Sequence, residues 1–224
     1  EFLGIDYVKE TSDLTGGTWY RYTGNKKSMM IDFYDDIQVV KTIEIPKFYV
    51  IPPEWESVIE RLDIHGVKYS RLEKAEVMDV TMFRIKDYEF SHQPYEGAFR
   101  LQNFNLDTII VKQEFPAQSV IVNANQVSVK VAAHLLDPTA PSSLLKWGYF
   151  NAIFEQKEYA ENYVMEVVAP QLMKKKPELK TEFEEFLKNN PKLKESQWAM
   201  LNWFYQKTEY WDEQKDLYPI VFAR

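Results

Sequence analysis

FYVIPPEWESVIERLDIHGV, residues 48–67, is the stretch on which the fold turns. Phe48-Tyr49-Val50-Ile51 is a short apolar run of the kind that makes a buried strand. Pro52-Pro53 ends it, and Pro53 suits the first position of a helix, where its missing N–H is no loss. Glu54 and Glu56 suit the positive N-terminus of that helix. Trp55, Val58, Ile59 and Leu62 fall at i, i+3, i+4 and i+7, one helical face. Gly66 is placed as a C-terminal cap, and residues 67–72 resume as strand. The unit reads β-α-β.

On its N-terminal side, residues 1–45 read as short strands and turns. Gly16-Gly17 is a turn signal, and TWYRYT at 18–23 is aromatic and β-branched, as strands prefer. Gly24-Asn25 is expected to turn the chain, with further strands at 29–34 and 37–45. On the C-terminal side, residues 75–122 read as mostly β, most firmly at 109–111 and 119–122. From 127 the pattern is helical almost to the end. Ser128 or Gln126 is expected to cap the first helix, Asp137-Pro138 to stop it, and Ser142 or Ser143 to cap the next. Residues 132–163 thus read as a nearly continuous apolar helix with a carboxylate-rich end. Pro170, Pro177 and Pro191 are expected to divide the C-terminal part into shorter helices, and the tail from Trp211 to pack back over the domain. The order of elements predicts an α+β fold: a mixed β-sheet region with one β-α-β unit, then a C-terminal helical region. The expected boundaries are 1–45, a β-rich N-terminal segment; 46–126, the β-α-β unit and sheet; and 127–224, mainly helical and packed on the sheet.

The net charge of −7 argues against a nucleic-acid partner, since phosphate binding needs concentrated Lys and Arg. No run approaches the ~20 apolar residues of a membrane span. The absence of cysteine excludes disulfides, thiolate ligands and a Cys nucleophile. The 15% aromatic content favours aromatic-rich packing or a binding surface. The chain opens without Met or a signal-like run, which reads as a cut end.

Six blocks carry a resemblance. They are GGTWYRYTG (16–24), residues 48–67, PYEGAFR (94–100), FPAQSVIV (115–122), residues 132–163 and YWDEQKDLYPI (210–220). In this order they resemble the C-terminal, non-catalytic region of large bacterial zinc carboxypeptidases. The resemblance implies that a zinc peptidase domain precedes the chain as its partner, that residues 1–45 continue from that domain, and that the parent is periplasmic or secreted. Zinc is implied for the parent; no cofactor is expected in this chain.

The residues agree with that. The family's zinc domain uses a His-x-x-Glu pair, but Lys68, Tyr95 and Asp137 stand three places after His65, His92 and His134. The three histidines also fall in three elements. His65 and His134 are expected as hydrogen-bonded packing residues and His92 as a solvated loop residue. There is no nucleophile elbow and no phosphate-binding glycine loop. Glu155, Glu158 and Glu161 at i, i+3, i+6 place the first two on one helix face, although Lys157 among them fits a solvated, charge-mixed end. Asn151 is expected either as a satisfied core amide or, with Glu155 and Lys157, on a surface facing the peptidase domain. Trp198, Leu201 and Tyr205 fit a core-facing stripe, leaving Trp203, Tyr210 and Trp211 for a docking or ligand surface. With Trp147, Asn151, Glu155, Lys157 and Glu158 they form the candidate set. The expected role is a non-catalytic accessory domain that docks on or stabilises the peptidase domain. The alternative is an independent peptide- or glycan-binding module using exposed Trp and Tyr. A hydrolase built on His134, Asp137 and Glu158 is the third reading.

Overall fold

In the computed structural model, which describes residues 1–223, the chain divides into two compact units, Glu1–Glu44 and Ile45–Arg224. The fold is α+β. No helix among the described residues is long and apolar enough to cross a membrane.

The first unit is an antiparallel hairpin of β1 (Phe2–Thr11) and β2 (Thr18–Met29). Its tip is held by the amides of Leu14 and Thr15, which donate to Ser12 Oγ at 3.3 and 3.2 Å. Gly24-Asn25 does not turn the chain. The register shifts between Ile5 and Tyr7, and Gly24 sits at φ +84° in the bulge this creates, the conformation glycine adopts at least cost. Residues 29–34 and 37–45 do not add strands beyond Met29. Most of their apolar side chains, Met30, Ile31, Phe33, Tyr34, Ile37, Val39 and Val40 among them, are exposed.

The second unit is built on a six-stranded sheet in the order β4-β7-β3-β8-β5-β6. Its strands are β3 (Phe48–Ile51), β4 (Ser70–Arg71), β5 (Glu76–Phe90), β6 (Leu101–Phe115), β7 (Val120–Asn123) and β8 (Leu217–Ala223). Helix α1 (Glu56–Ile64) joins β3 to β4. Both strands run antiparallel to β7, which lies between them, so they are parallel to each other. The β-α-β unit is thus present with one strand inserted, and its second strand is cut to two residues at the sheet edge.

The strands alternate strictly. Tyr49 and Ile51 of β3, Val120 and Val122 of β7, and Tyr218, Ile220 and Phe222 of β8 face the main core, while Val50 and Val221 face the other side. α1 covers the main face with Val58, Ile59 and Leu62, the predicted stripe, and Trp55 packs beside them. Helix α2 (Val129–Leu136) adds Ala132, Leu135 and Leu136.

Three features depart from the sequence reading. The tail forms β8 in the middle of the sheet, where Lys47 N donates to Ala223 O at 2.9 Å. Pro219, which lacks an N–H, is tolerated because it sits in a bulge of β8, where three residues oppose the single Met82 of β5. The stretch 132–163 is not one helix. α2 ends at Asp137-Pro138, turns come next, a 3₁₀ turn spans Asn151–Phe154, and residues 155–161 form neither helix nor strand. Finally, helix α3 (Asn162–Lys175) runs through Pro170, because Met165 and Ala169 anchor it in a second core. The breaks before α4 (Glu178–Asn189) and α5 (Gln197–Tyr205) do fall at Pro177 and Pro191.

Two buried tyrosines in the main core make opposite predictions. Tyr218 Oη donates to Leu136 O at 2.8 Å, whereas the Tyr49 hydroxyl is buried without a partner. Tyr218→Phe is expected to destabilise the protein by about 1–3 kcal/mol, and Tyr49→Phe to leave it unchanged or up to about 1 kcal/mol more stable, by denaturant unfolding. Burial, then the nearby Asp137 charge, pushes both phenols above the ordinary 10.0. A group that titrates higher when folded stabilises fully below its unfolded pKa and loses that contribution as pH rises. The melting temperature should therefore fall above pH about 10, and less steeply in Tyr49→Phe.

Candidate functional site

The buried stripe of α1 leaves Arg61 and His65 on its outer side. The buried face of α2 leaves Lys130 and His134, at i and i+4, on one exposed edge. Two contacts bring these edges together. Ser128 Oγ donates to Gly66 O at 3.1 Å rather than capping its own helix. The Gln126 amide bonds both backbone groups of Lys68, accepting from N and donating to O, each at 2.9 Å.

The result is a cavity of about 700 Å³ whose polar rim carries Arg61, His65, Lys130 and His134, with Glu96 from the hairpin tip. Its apolar wall is made by Ala98, Val131, Leu135, Leu144, Trp147 and Tyr149. The Arg61 guanidinium lies 5.8 Å from the Tyr149 ring centre, and Arg100 stacks 4.1 Å over Trp147. His65 and His134 are therefore not packing residues. Both are exposed and border one cavity, because α1 and α2 lie side by side on the sheet.

The loop that supplies this wall turns at Gly148, φ +82°. A Cβ there would stand 3.0 Å from Asn151 Nδ2, the atom that donates to Phe99 O at 3.3 Å. Gly148→Ala is expected to cost about 1–3 kcal/mol and to raise amide exchange through residues 98–100. Asn151 thus ties the loop to the hairpin rather than holding the segment after it, and its Oδ1 is buried without a partner. That segment is held by Gln156 and Asn202, whose amides bond reciprocally at 2.8 and 3.0 Å.

Of the other candidates, Glu155, Lys157, Glu158 and Trp211 line one shallow cleft with Asp212 and Lys215. Since residues 155–161 are not helical, Glu155 and Glu158 share no helix face. Lys215 Nζ bonds Asp216 at 2.8 Å and Tyr88 Oη at 3.3 Å. Burial pulls its pKa down, but these partners together outweigh burial and hold it above the ordinary value. Arg84 donates to the carbonyls of Lys215 and Glu213 at 2.6 and 2.8 Å, fixing the loop.

The aromatic platform is corrected. Trp203 is 8% exposed and packs against Phe183 and Phe186 in the second core, while Trp198, expected inside, is 52% exposed. Trp211 packs edge-on against Tyr205 at 5.6 Å. Tyr210 alone of the three is open, at 71%. The His134, Asp137 and Glu158 trio is not assembled: Asp137 is buried and accepts from Thr139 N and Oγ1 at 2.8 and 2.6 Å, and Glu158 lines the other cleft. Among the described residues no group of three His, Cys, Asp or Glu side chains is placed to hold a metal ion.

No protein-family model and no solved structure matches the chain. Among curated proteins it is similar to Carboxypeptidase 2 of Trichophyton tonsurans, with 30% identity over 113 residues, 50% of this chain and 20% of that protein. Carboxypeptidase 2 of Trichophyton equinum matches to the same extent, and that of Trichophyton rubrum is 29% identical over 111 residues. These relatives are fungal, so the expected bacterial and periplasmic origin finds no support in them. The match spans about a fifth of the length of these relatives, so the likeness to carboxypeptidases is partial and distant.

Proposed function

We propose that this chain is a non-catalytic accessory part of a carboxypeptidase-like polypeptide and that its first unit docks on the peptidase domain. The observation that carries this reading is the surface of that unit. Phe33, Tyr34 and Val40 are 84%, 90% and 96% exposed, and Leu3, Met30, Ile37 and Val39 are also open. Six of these seven fall within residues 30–40, and apolar side chains exposed so densely along one segment mark an interaction surface. The partial likeness to carboxypeptidases supplies the partner's class. Zinc in such a parent would be held by its peptidase domain.

The test starts with the coding sequence upstream of Glu1, which should encode a His-x-x-Glu pair and a later His. The 224-residue chain should then bind that peptidase portion, and Phe33→Asp with Val40→Asp should weaken binding without changing the melting of the second unit. Absence of a peptidase upstream, or no binding, defeats the reading. The binding-module alternative loses Trp203, which is buried.

A further inference from the structure

We infer that the cavity between α1 and α2 is a binding site for a carboxylate attached to an apolar or aromatic group. The inference does not rest on docking to a peptidase. Its first ground is charge. In a chain with 34 acidic and 27 basic residues, the rim of this cavity reverses the balance. Arg61 and Lys130 bring two cationic side chains, His65 and His134 bring ring N–H donors, and Glu96 is the one carboxylate on the rim. Its second ground is vacancy of bonding. The Arg61, His65, Lys130 and His134 side chains make no hydrogen bond or ion pair among the described residues, and Arg61 has only the Tyr149 ring. Charged donors on one cavity rim that are not committed to internal acceptors are free to make charge-assisted hydrogen bonds to an external anion.

Shape supplies the third ground. The volume of about 700 Å³ is that of a small-molecule or short-peptide pocket. Leu135, Leu144, Trp147 and Tyr149 give it an apolar wall, and Arg100 stacked on Trp147 holds that indole in place. The ligand that satisfies both halves presents an anion to the rim and a ring or branched chain to the wall. A peptide ending in a bulky apolar residue has this chemistry, and so does a small free aromatic acid.

The experiment is calorimetric titration of the full chain with N-acetyl-alanyl-phenylalanine, its C-terminal amide and phenylacetate. The free acid is expected to bind, with the amide at least about tenfold weaker. Arg61→Gln and Lys130→Gln, both at exposed positions, should weaken the acid and leave the amide unchanged. Val131→Trp, on the exposed wall, should block the acid while preserving the melting temperature. A peptide acid that outbinds phenylacetate identifies a chain terminus; phenylacetate binding equally well identifies a free aromatic acid, and either supports the carboxylate site. Equal affinity for acid and amide, unchanged affinity in both glutamine variants, or no binding by any probe overturns it.

Discussion

Deletion of residues 217–224 is expected to leave the second unit without a stable fold. β8 is the last strand in the chain, yet it lies between β3 and β5, which are not neighbours in the sheet order. Without it the sheet separates into β4-β7-β3 and the β5-β6 hairpin. The strand also brings Tyr218, Ile220, Val221 and Phe222, whose exposures are 0%, 0%, 1% and 5%. At about 1.5–3 kcal/mol for each fully buried side chain, these four contribute roughly 6–12 kcal/mol. That equals the whole stability of an ordinary domain, about 5–15 kcal/mol. The truncated chain should lose its near-ultraviolet circular dichroism and its cooperative melt. A truncated protein that still melts cooperatively near the parent temperature would show that β8 is dispensable. Ile220→Asp should reproduce the loss with every residue retained, since it places one charge in the main core.

Phe150→Ala is expected to cost about 3–5 kcal/mol. Phe150 is wholly buried, and its ring lies 4.8 Å from Trp55 and 5.2 Å from Tyr218. It therefore joins the helix side of the core to β8. Trp203→Ala should cost a similar amount, about 3–5 kcal/mol, in the second core. The two rings belong to separate clusters with no shared member, so their effects should add within about 0.5 kcal/mol in the double variant. A coupling well above that would mean the two cores unfold as one contact network.

The sequence was most legible where local pattern and tertiary demand agreed. Val58, Ile59 and Leu62 marked the buried face of α1, and the runs at 48–51 and 119–122 marked strands buried on both sides. β8 escaped because its neighbours in space are far from it in the chain, and Pro219 argues against a central strand unless the bulge opposite Met82 is known. Residues 132–163 misled for a different reason: Leu144, Leu145 and Phe150 are core residues on a loop, and apolar content alone cannot separate a buried loop from a helix. In α5, Trp203, Phe204 and Tyr205 are buried in succession because α3 and α4 surround that end. A single-stripe pattern consequently chose Trp198 wrongly. The cavity left no local signal, since Arg61, His65, Lys130 and His134 come from two helices that only the sheet aligns.

The bond from Lys47 N–H to Ala223 C=O has a mechanical corollary. The second unit begins and finishes at adjacent points, so it adds almost no distance to any longer polypeptide that includes it. Tension drawn through those points would open β3 from β8 one hydrogen bond at a time, as a zip opens, rather than sliding the strands past each other. A protein joined to both ends of this unit would thus be held by its weakest loading direction, however well its interior is packed.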